Sequence, residues 1–84
     1  MQPLNFDGAN VVFGAKQPEY IPLPAEYRGG KSGEILTCWE LTPDELKRVQ
    51  ETGKLWLGVL TFGQPLQPVY LSVDKPEPYD EPEQ

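Results

Sequence analysis

The chain contains no histidine and a single cysteine, Cys38. Histidine is the commonest general base and a frequent transition-metal ligand, and a structural zinc site needs four Cys or His ligands. One cysteine also cannot form an internal disulfide. The sequence therefore predicts a protein that is not an enzyme, has no candidate catalytic residue and needs neither a metal nor a cofactor.

Long apolar runs and basic clusters are also missing. No apolar run approaches the ~20 residues of a membrane-spanning helix, and the first ten residues lack the basic and apolar regions of a secretory signal. The formal net charge is −6, and residues 74–84 contribute −4 of it, with five carboxylates against one lysine. The rest of the chain is nearly neutral, without a basic face for duplex nucleic acid. We expect a cytoplasmic protein that binds neither membranes nor duplexes.

The small size of the chain limits the core that it can build. A chain of 84 residues with 38% hydrophobic residues makes one small domain, which is marginally stable unless something reinforces it. We expect residues 1–73 to form this domain. Residues 74–84 are acidic and have a proline every few positions, a composition that is typical of a disordered tail.

The strongest local signals surround one helix. Thr42 has the hydroxyl of an N-cap residue, Pro43 fits the first helical position, and Glu45 is placed to complete a capping box. Gly53 can adopt the left-handed conformation that ends a helix. The sequence therefore predicts a helix over residues 43–52.

Strand signals precede this helix. Residues 10–13 are a short apolar run, and residues 34–40 combine β-branched and aromatic side chains between charged ends. Residues 20–23 contain a proline that removes a ladder donor, so they are expected to lie extended at an edge of the sheet.

Strand signals also follow the helix. Residues 55–62 and 69–73 predict an antiparallel hairpin joined by the turn 63–68. The fold class is therefore α+β, with one antiparallel sheet of about four strands and the helix packed on one face. The first hairpin strand is apolar on both faces, so it needs two cover layers. The helix supplies one, and the N-terminal segment or a second subunit supplies the other. In so short a chain, we expect a homo-oligomer.

Two loops offer the side chains of a ligand site. One has cations beside an aromatic ring, which together can hold an anionic ring system by charge and stacking. The other has two amides close to a second ring. The predicted site, at a subunit boundary, consists of Tyr27, Arg28, Lys31, Phe62, Gln64 and Gln67. The alternative interpretation is a solvated loop and an ordinary turn.

Residues 38–73 also carry a recognisable pattern. A Cys-Trp strand leads into a short polar helix, then a G-[KR]-[LIV]-W-L-x-V-L segment and a proline-containing turn. The matching positions are Cys38, Trp39, Gly53, Lys54, Trp56, Leu57, Val59, Leu60, Pro65 and Pro68. In these residues the chain resembles small proteins of tailed bacteriophages and prophages that have no assigned function. The resemblance covers less than half of the chain, specifies no chemistry, and implies a protein acting in the infected host cell.

Three functions from different classes fit these observations. The first is a phage-encoded counter-defence protein that sequesters a small anionic host signal of nucleotide type in a pocket between subunits. The second is an inhibitor that presents a strand edge or its acidic tail to a host protein. The third is a minor virion or assembly component. The small size, the lack of catalytic residues and the cationic loop favour the first.

Overall fold

The structure, a computed structural model, describes residues 1–19 and 21–80. It contains five short strands and one helix. In chain order these are β1 (Gln2–Leu4), β2 (Val11–Phe13), β3 (Leu23–Gly29), β4 (Glu34–Leu36), β5 (Cys38–Glu40) and α1 (Pro43–Thr52). The predicted fold class, α+β with antiparallel strands and one helix, is confirmed. Within the described residues, no helix is long and apolar enough to cross a membrane.

The five strands form two antiparallel sheets, whereas we expected a single sheet. β1 pairs with β5, and β3 lies at the centre of a second sheet between β2 and β4. The strand predicted for residues 34–40 is therefore two strands that separate at Thr37. The division arises because its two halves pair with different partners, β4 with β3 and β5 with β1.

The central strand β3 differs most from the prediction for the first half of the chain. We expected residues 20–23 at an edge, but Leu23 begins the central strand, and Tyr20 lies outside the described residues. Pro24 is accommodated within this strand opposite Val12 of β2. Pairing with β4 begins only at Glu26, so Pro24 has a neighbouring strand on one side alone, a position that proline tolerates.

The helix α1 has the predicted bounds and both predicted caps. The Glu45 amide donates to Thr42 Oγ1 at 3.2 Å, and the Thr42 amide donates to Glu45 Oε1 at 2.8 Å. At the other end, Gly53 adopts φ 65° and its amide donates to the Val49 carbonyl at 2.7 Å. Each of these bonds joins residues at most four positions apart, which is why the sequence alone predicts them.

The helix does not cover a sheet as we expected. None of its side chains is buried. Its Glu45 instead forms an ion pair with the Met1 ammonium at 2.7 Å. This ammonium, followed by the hydrogen bond from the Thr42 amide, lowers the pKa of Glu45 to about 2. The helix therefore contacts the residue that precedes β1 and leaves the sheets open.

The predicted hairpin does not form. Residues 55–62 and 69–73 contain no strand. One tight turn remains between them, in which the Gln64 amide donates to the Thr61 carbonyl at 3.0 Å. Pro65 and Pro68 lie in the predicted turn, where their fixed φ limits the conformations that could join two paired strands.

The described residues form almost no hydrophobic core. Ala25 is the single buried hydrophobic residue among residues 1–19 and 21–80. The radius of gyration is 14.7 Å, whereas a compact domain of this length has about 12 Å. The apolar side chains that the sequence places after the helix are thus present but uncovered.

The capping box can be tested by replacing Thr42. We expect Thr42→Ala to lower the free energy of unfolding by about 1 kcal/mol, because it removes the oxygen that accepts from the Glu45 amide. The measurement is urea denaturation followed by circular dichroism. Thr42→Ser keeps the oxygen and should match the wild type. Equal unfolding midpoints for the alanine and serine variants would count against the cap.

Candidate interaction site

The candidate site is the segment of residues 55–73, which we call the apolar arm. It contains no charged residue, although 24% of the chain is charged. Its large side chains are exposed, among them Trp56 at 89%, Leu60 at 82% and Phe62 at 87%. Monomeric soluble proteins rarely expose a contiguous apolar surface of this extent. Such a surface is characteristic of a protein interaction site.

The arm is held at both ends. At its start, Gly53 caps the helix and the Lys54 amide donates to Thr52 Oγ1 at 3.2 Å. Near its end, the Tyr70 hydroxyl donates to the Glu34 carboxylate of β4. This hydrogen bond is the main cause of the lowered pKa of Glu34, and Glu34 in turn raises the pKa of Tyr70. The arm is therefore a loop with fixed ends, not a free strand.

Residues 74–80, which we call the clasp, continue this attachment. Lys75 Nζ lies 3.3 Å from Glu26 of β3 and donates to the Asp7 carbonyl at 3.0 Å. Asp80 accepts hydrogen bonds from the Ser32 amide at 3.1 Å and from the Ser32 hydroxyl at 2.9 Å. We expected a disordered tail over residues 74–84. Residues 74–80 instead bind the body of the chain, and residues 81–84 lie outside the described residues.

Gly30 makes room for the clasp. It adopts φ 72°, and a Cβ at this position would overlap the Asp80 carboxylate. Only glycine combines this backbone conformation with such a close approach at little cost. Gly30 thus serves as a docking point for residue 80.

Arg28 joins the clasp to strands β3 and β4. It is the extra residue of a β-bulge, between the pairs Tyr27–Ile35 and Gly29–Glu34. Bulges redirect the side chain at the irregularity. Here the guanidinium donates to Glu26 at 2.7 Å, to Glu34 at 3.2 Å and to the Pro76 carbonyl at 2.8 Å.

These contacts place Arg28 in an ion-pair network within the chain. Its side chain is only 7% exposed, and Glu26 followed by Glu34 raises the pKa of its guanidinium. Conversely, Arg28 is the main cause of the lowered pKa of Glu26. We predicted Arg28 as a ligand contact, and this stays a prediction. In the structure each of its three nitrogens donates to an acceptor within the chain, so Arg28 is an internal cross-link.

The tip of the arm has an unusual backbone. Phe62 has φ 52°, the single positive φ of a non-glycine residue among the described residues, and Gly63 follows with φ 84°. Positive φ at both central residues is the pattern of a type I′ turn, the turn favoured in two-residue β-hairpins. A phenylalanine in this region costs about 1–2 kcal/mol relative to glycine. The turn therefore presents an exposed aromatic ring on a strained backbone.

A shallow hollow of about 210 Å³ lies beside this tip. It is lined by Val59, Leu60, Thr61, Gln64, Pro65, Leu66, Gln67 and Val69. Two of the predicted site residues, Gln64 and Gln67, thus share one surface. Phe62 lies in the adjoining turn but does not line the hollow, so its ring does not fill the hollow of its own chain.

The other predicted site residues lie on β3 and the turn after it. Tyr27 is 53% exposed, and its backbone amide and carbonyl are both bound by the Asn10 side chain, at 2.8 and 3.1 Å. Lys31 is exposed and forms no ion pair with the described carboxylates. Neither residue lines the hollow beside the tip. That all six residues form one ligand site stays a prediction.

A second concavity, which we call the base groove, lies between the helix and the start of the arm. Its volume is about 220 Å³, and it is lined by Met1, Leu41, Glu45, Arg48, Val49, Lys54, Leu55 and Trp56. Glu45 is neutralised by the Met1 ammonium, whereas Arg48 and Lys54 form no ion pair within the described residues. The groove therefore has a local charge of about +2 in a chain of net charge −6.

The base groove was not predicted from the sequence. The sequence feature that indicates it is the placement of Arg48 and Lys54 on either side of the helix end, with Trp56 two residues after Lys54. The described residues contain no group of three or more His, Cys, Asp or Glu side chains suited to a metal ion. No protein-family model, curated protein or solved structure matches this chain. The resemblance to phage proteins stays a prediction.

The role of Arg28 can be tested by replacing it with methionine. We expect Arg28→Met to lower the free energy of unfolding by about 1.5–3 kcal/mol, because Glu26 and Glu34 lose their charged donor. Lys31→Met, which removes an exposed cation from the adjacent turn, is the matched control and should change stability little. Similar unfolding curves for the two variants would show that the cross-link is dispensable.

The same cross-link predicts an acid dependence of stability. The pKa values of Glu26 and Glu34 are lowered in the folded chain, so both carboxylates bind protons more weakly there than in the unfolded chain. Their contribution is fully present above the ordinary carboxyl pKa near 4.5 and is lost as the pH falls through the lowered values. Unfolding free energies measured between pH 6 and 2 should decline less in Arg28→Met than in the wild type, chiefly through Glu26, because Tyr70 is the larger cause of the lowered pKa of Glu34.

Proposed function

We propose that this protein is a non-enzymatic binding protein that acts as a homo-oligomer, with the apolar arm as the contact between copies. The observation that carries this proposal is the exposure of the uncharged segment 55–73 in a chain with one buried hydrophobic residue. A protein with so little core gains most of its apolar burial from association.

The exposed area supports an obligate assembly. The chain exposes 7740 Å², whereas an independently folded protein of 9.5 kDa exposes roughly 5,000 Å². The excess is about 2,700 Å². Obligate homodimers bury about 2,000–5,000 Å² in total, or about 1,000–2,500 Å² for each chain. The excess is therefore as large as the area that a dimeric or tetrameric contact would remove.

A second copy of the chain fits this surface better than another protein. A chain that depends on association for its stability needs its partner as soon as it is made, and another copy is always present at the same concentration. The arm has no charge to direct it to a charged partner. Closed symmetric assemblies are also the commonest state of soluble oligomers. An unrelated host protein is the alternative that the experiment below distinguishes.

A second candidate function concerns the base groove. Arg48 and Lys54 form no ion pair within the described residues and lie beside an indole that is 89% exposed. This arrangement suits a planar anionic ligand, which would stack on Trp56 and accept hydrogen bonds from both cations. The groove is smaller than the 300–1,000 Å³ of typical ligand sites, so a second copy has to complete it. In the setting implied by the phage resemblance, the ligand is a nucleotide-type host signal that the protein sequesters.

The oligomer can be tested by sedimentation velocity of the full chain at micromolar concentration. We expect a mass of twice 9.5 kDa or a multiple of it. Leu60→Glu should shift the protein to monomer, because it places a charge in the contact. Leu60 is 82% exposed, so this change removes little packing within the chain. Ile21→Glu, at a residue 77% exposed outside the arm, is the matched control and should remain oligomeric.

A wild-type mass of 9.5 kDa at all concentrations would overturn the homo-oligomer. It would then favour a different protein as the partner of the arm. An Ile21→Glu variant as dissociated as Leu60→Glu would show that any added surface charge disrupts the protein, and that the arm has no special role.

The base groove can be tested with ATP as the probe and Trp56 as the reporter, in a Trp39→Phe background that leaves one indole. We expect ATP to quench Trp56 fluorescence, with inorganic triphosphate and adenosine each binding more weakly. Lys54→Ala should weaken ATP binding about 10-fold or more, as expected when a charge-assisted hydrogen bond is lost. Lys31→Ala is the control. A stronger effect of Lys31→Ala would instead locate the ligand at the loop predicted from the sequence.

A further inference from the structure

The strained backbone of Phe62, at the tip of the arm, needs a physical explanation. Phe62 keeps a left-handed backbone in a turn where Asn or Gly would be free of strain, and its ring is 87% exposed, so the chain itself gains nothing from this ring. Strained residues persist where the arrangement that they produce has a function. The arrangement here is an aromatic side chain projecting from the end of an uncharged arm.

The hollow beside the tip offers a matching cavity. Its walls include the aliphatic side chains of Val59, Leu60, Leu66 and Val69, and its volume is about 210 Å³. The residues that contribute most binding energy in protein interfaces are often aromatic and lie in well-packed, desolvated pockets. The ring of the same chain is not in this hollow, so the hollow is open to a ring from elsewhere.

We propose that two copies of the chain associate tip to tip, with the Phe62 ring of each copy inserted into the hollow of the other. This inference rests on the proposed homo-oligomer and specifies its contact. The ring belongs to the turn, and the hollow is lined by residues that precede and follow the same turn. A twofold axis beside that turn therefore closes both contacts at once. A head-to-tail arrangement would leave a ring free at one end and a hollow free at the other, and would extend into open chains.

The first test removes the ring and keeps the turn. Asparagine tolerates the left-handed region, so Phe62→Asn preserves the turn while deleting the anchor. The variant dimer loses both anchors, so we expect its dissociation constant to rise by about 1,000-fold, that is, about 30-fold for each strong interface anchor. Ile21→Asn introduces the same residue at an exposed apolar position outside the arm and should leave the constant unchanged.

The second test fills the hollow and keeps the ring. Gln67→Trp places a large side chain in the hollow and should also weaken self-association. In a mixture of the two variants, the ring of the Gln67→Trp chain meets the open hollow of the Phe62→Asn chain. The mixed dimer then has one of the two contacts, so it should be tighter than either variant alone. Labelling one variant at Cys38, an exposed thiol outside the arm, lets sedimentation detect the mixed dimer.

The outcomes distinguish the reciprocal Phe62 contact from the homo-oligomer on which it rests. Weak single variants with a restored mixed dimer support the reciprocal contact. A Phe62→Asn dimer as tight as the wild type overturns it and leaves the homo-oligomer standing, as does a Gln67→Trp variant that associates normally. A mixture no tighter than its components overturns the reciprocal geometry. A monomeric wild type overturns both this contact and the proposed assembly.

Discussion

The guanidinium of Arg28 connects the bulged strand β3 with the next strand, β4, and with residue 76, which lies 48 positions further along the chain. The described residues have almost no hydrophobic core. This polar cross-link therefore holds the segments together, as side-chain packing does in other proteins. It fixes the clasp against the sheet, and the clasp closes the arm into a loop between Gly53 and residue 74. The position of the apolar arm therefore depends on the ion-pair network of Arg28, which holds the clasp that follows the arm.

The network also limits what the composition of the cationic loop can show. Arg28 beside glycines and Tyr27 has the composition of an anion site, and composition does not show what the side chain already contacts. Glu26, two residues before it, was visible in the sequence. The contacts with Glu34 and Pro76 were not, because they depend on the β-bulge and on a contact between residues 48 positions apart. The structural role of Arg28 therefore could not be predicted from the sequence alone.

Features that depend on contacts close in the sequence were predicted correctly, whereas features that depend on distant contacts were not. The helix was predicted to the residue because a capping box and a left-handed glycine act within one turn. The antiparallel α+β class was also predictable, as was the short strand at residues 11–13. The division of residues 34–40 between two sheets depends on pairing with β1 and β3, and no local signal encodes it. The role of residues 74–80 likewise depends on partners far away in the sequence.

The missing hairpin can be understood in the same terms. The apolar run in residues 55–62 indicates a strand that needs cover on both faces, and the positive φ of Phe62 and Gly63 gives the turn the twist that a hairpin favours. The described residues supply neither cover. In the proposed homo-oligomer, a second copy of the chain supplies it. Folding of the arm and association would then be one equilibrium, and the stability of this region would rise with protein concentration.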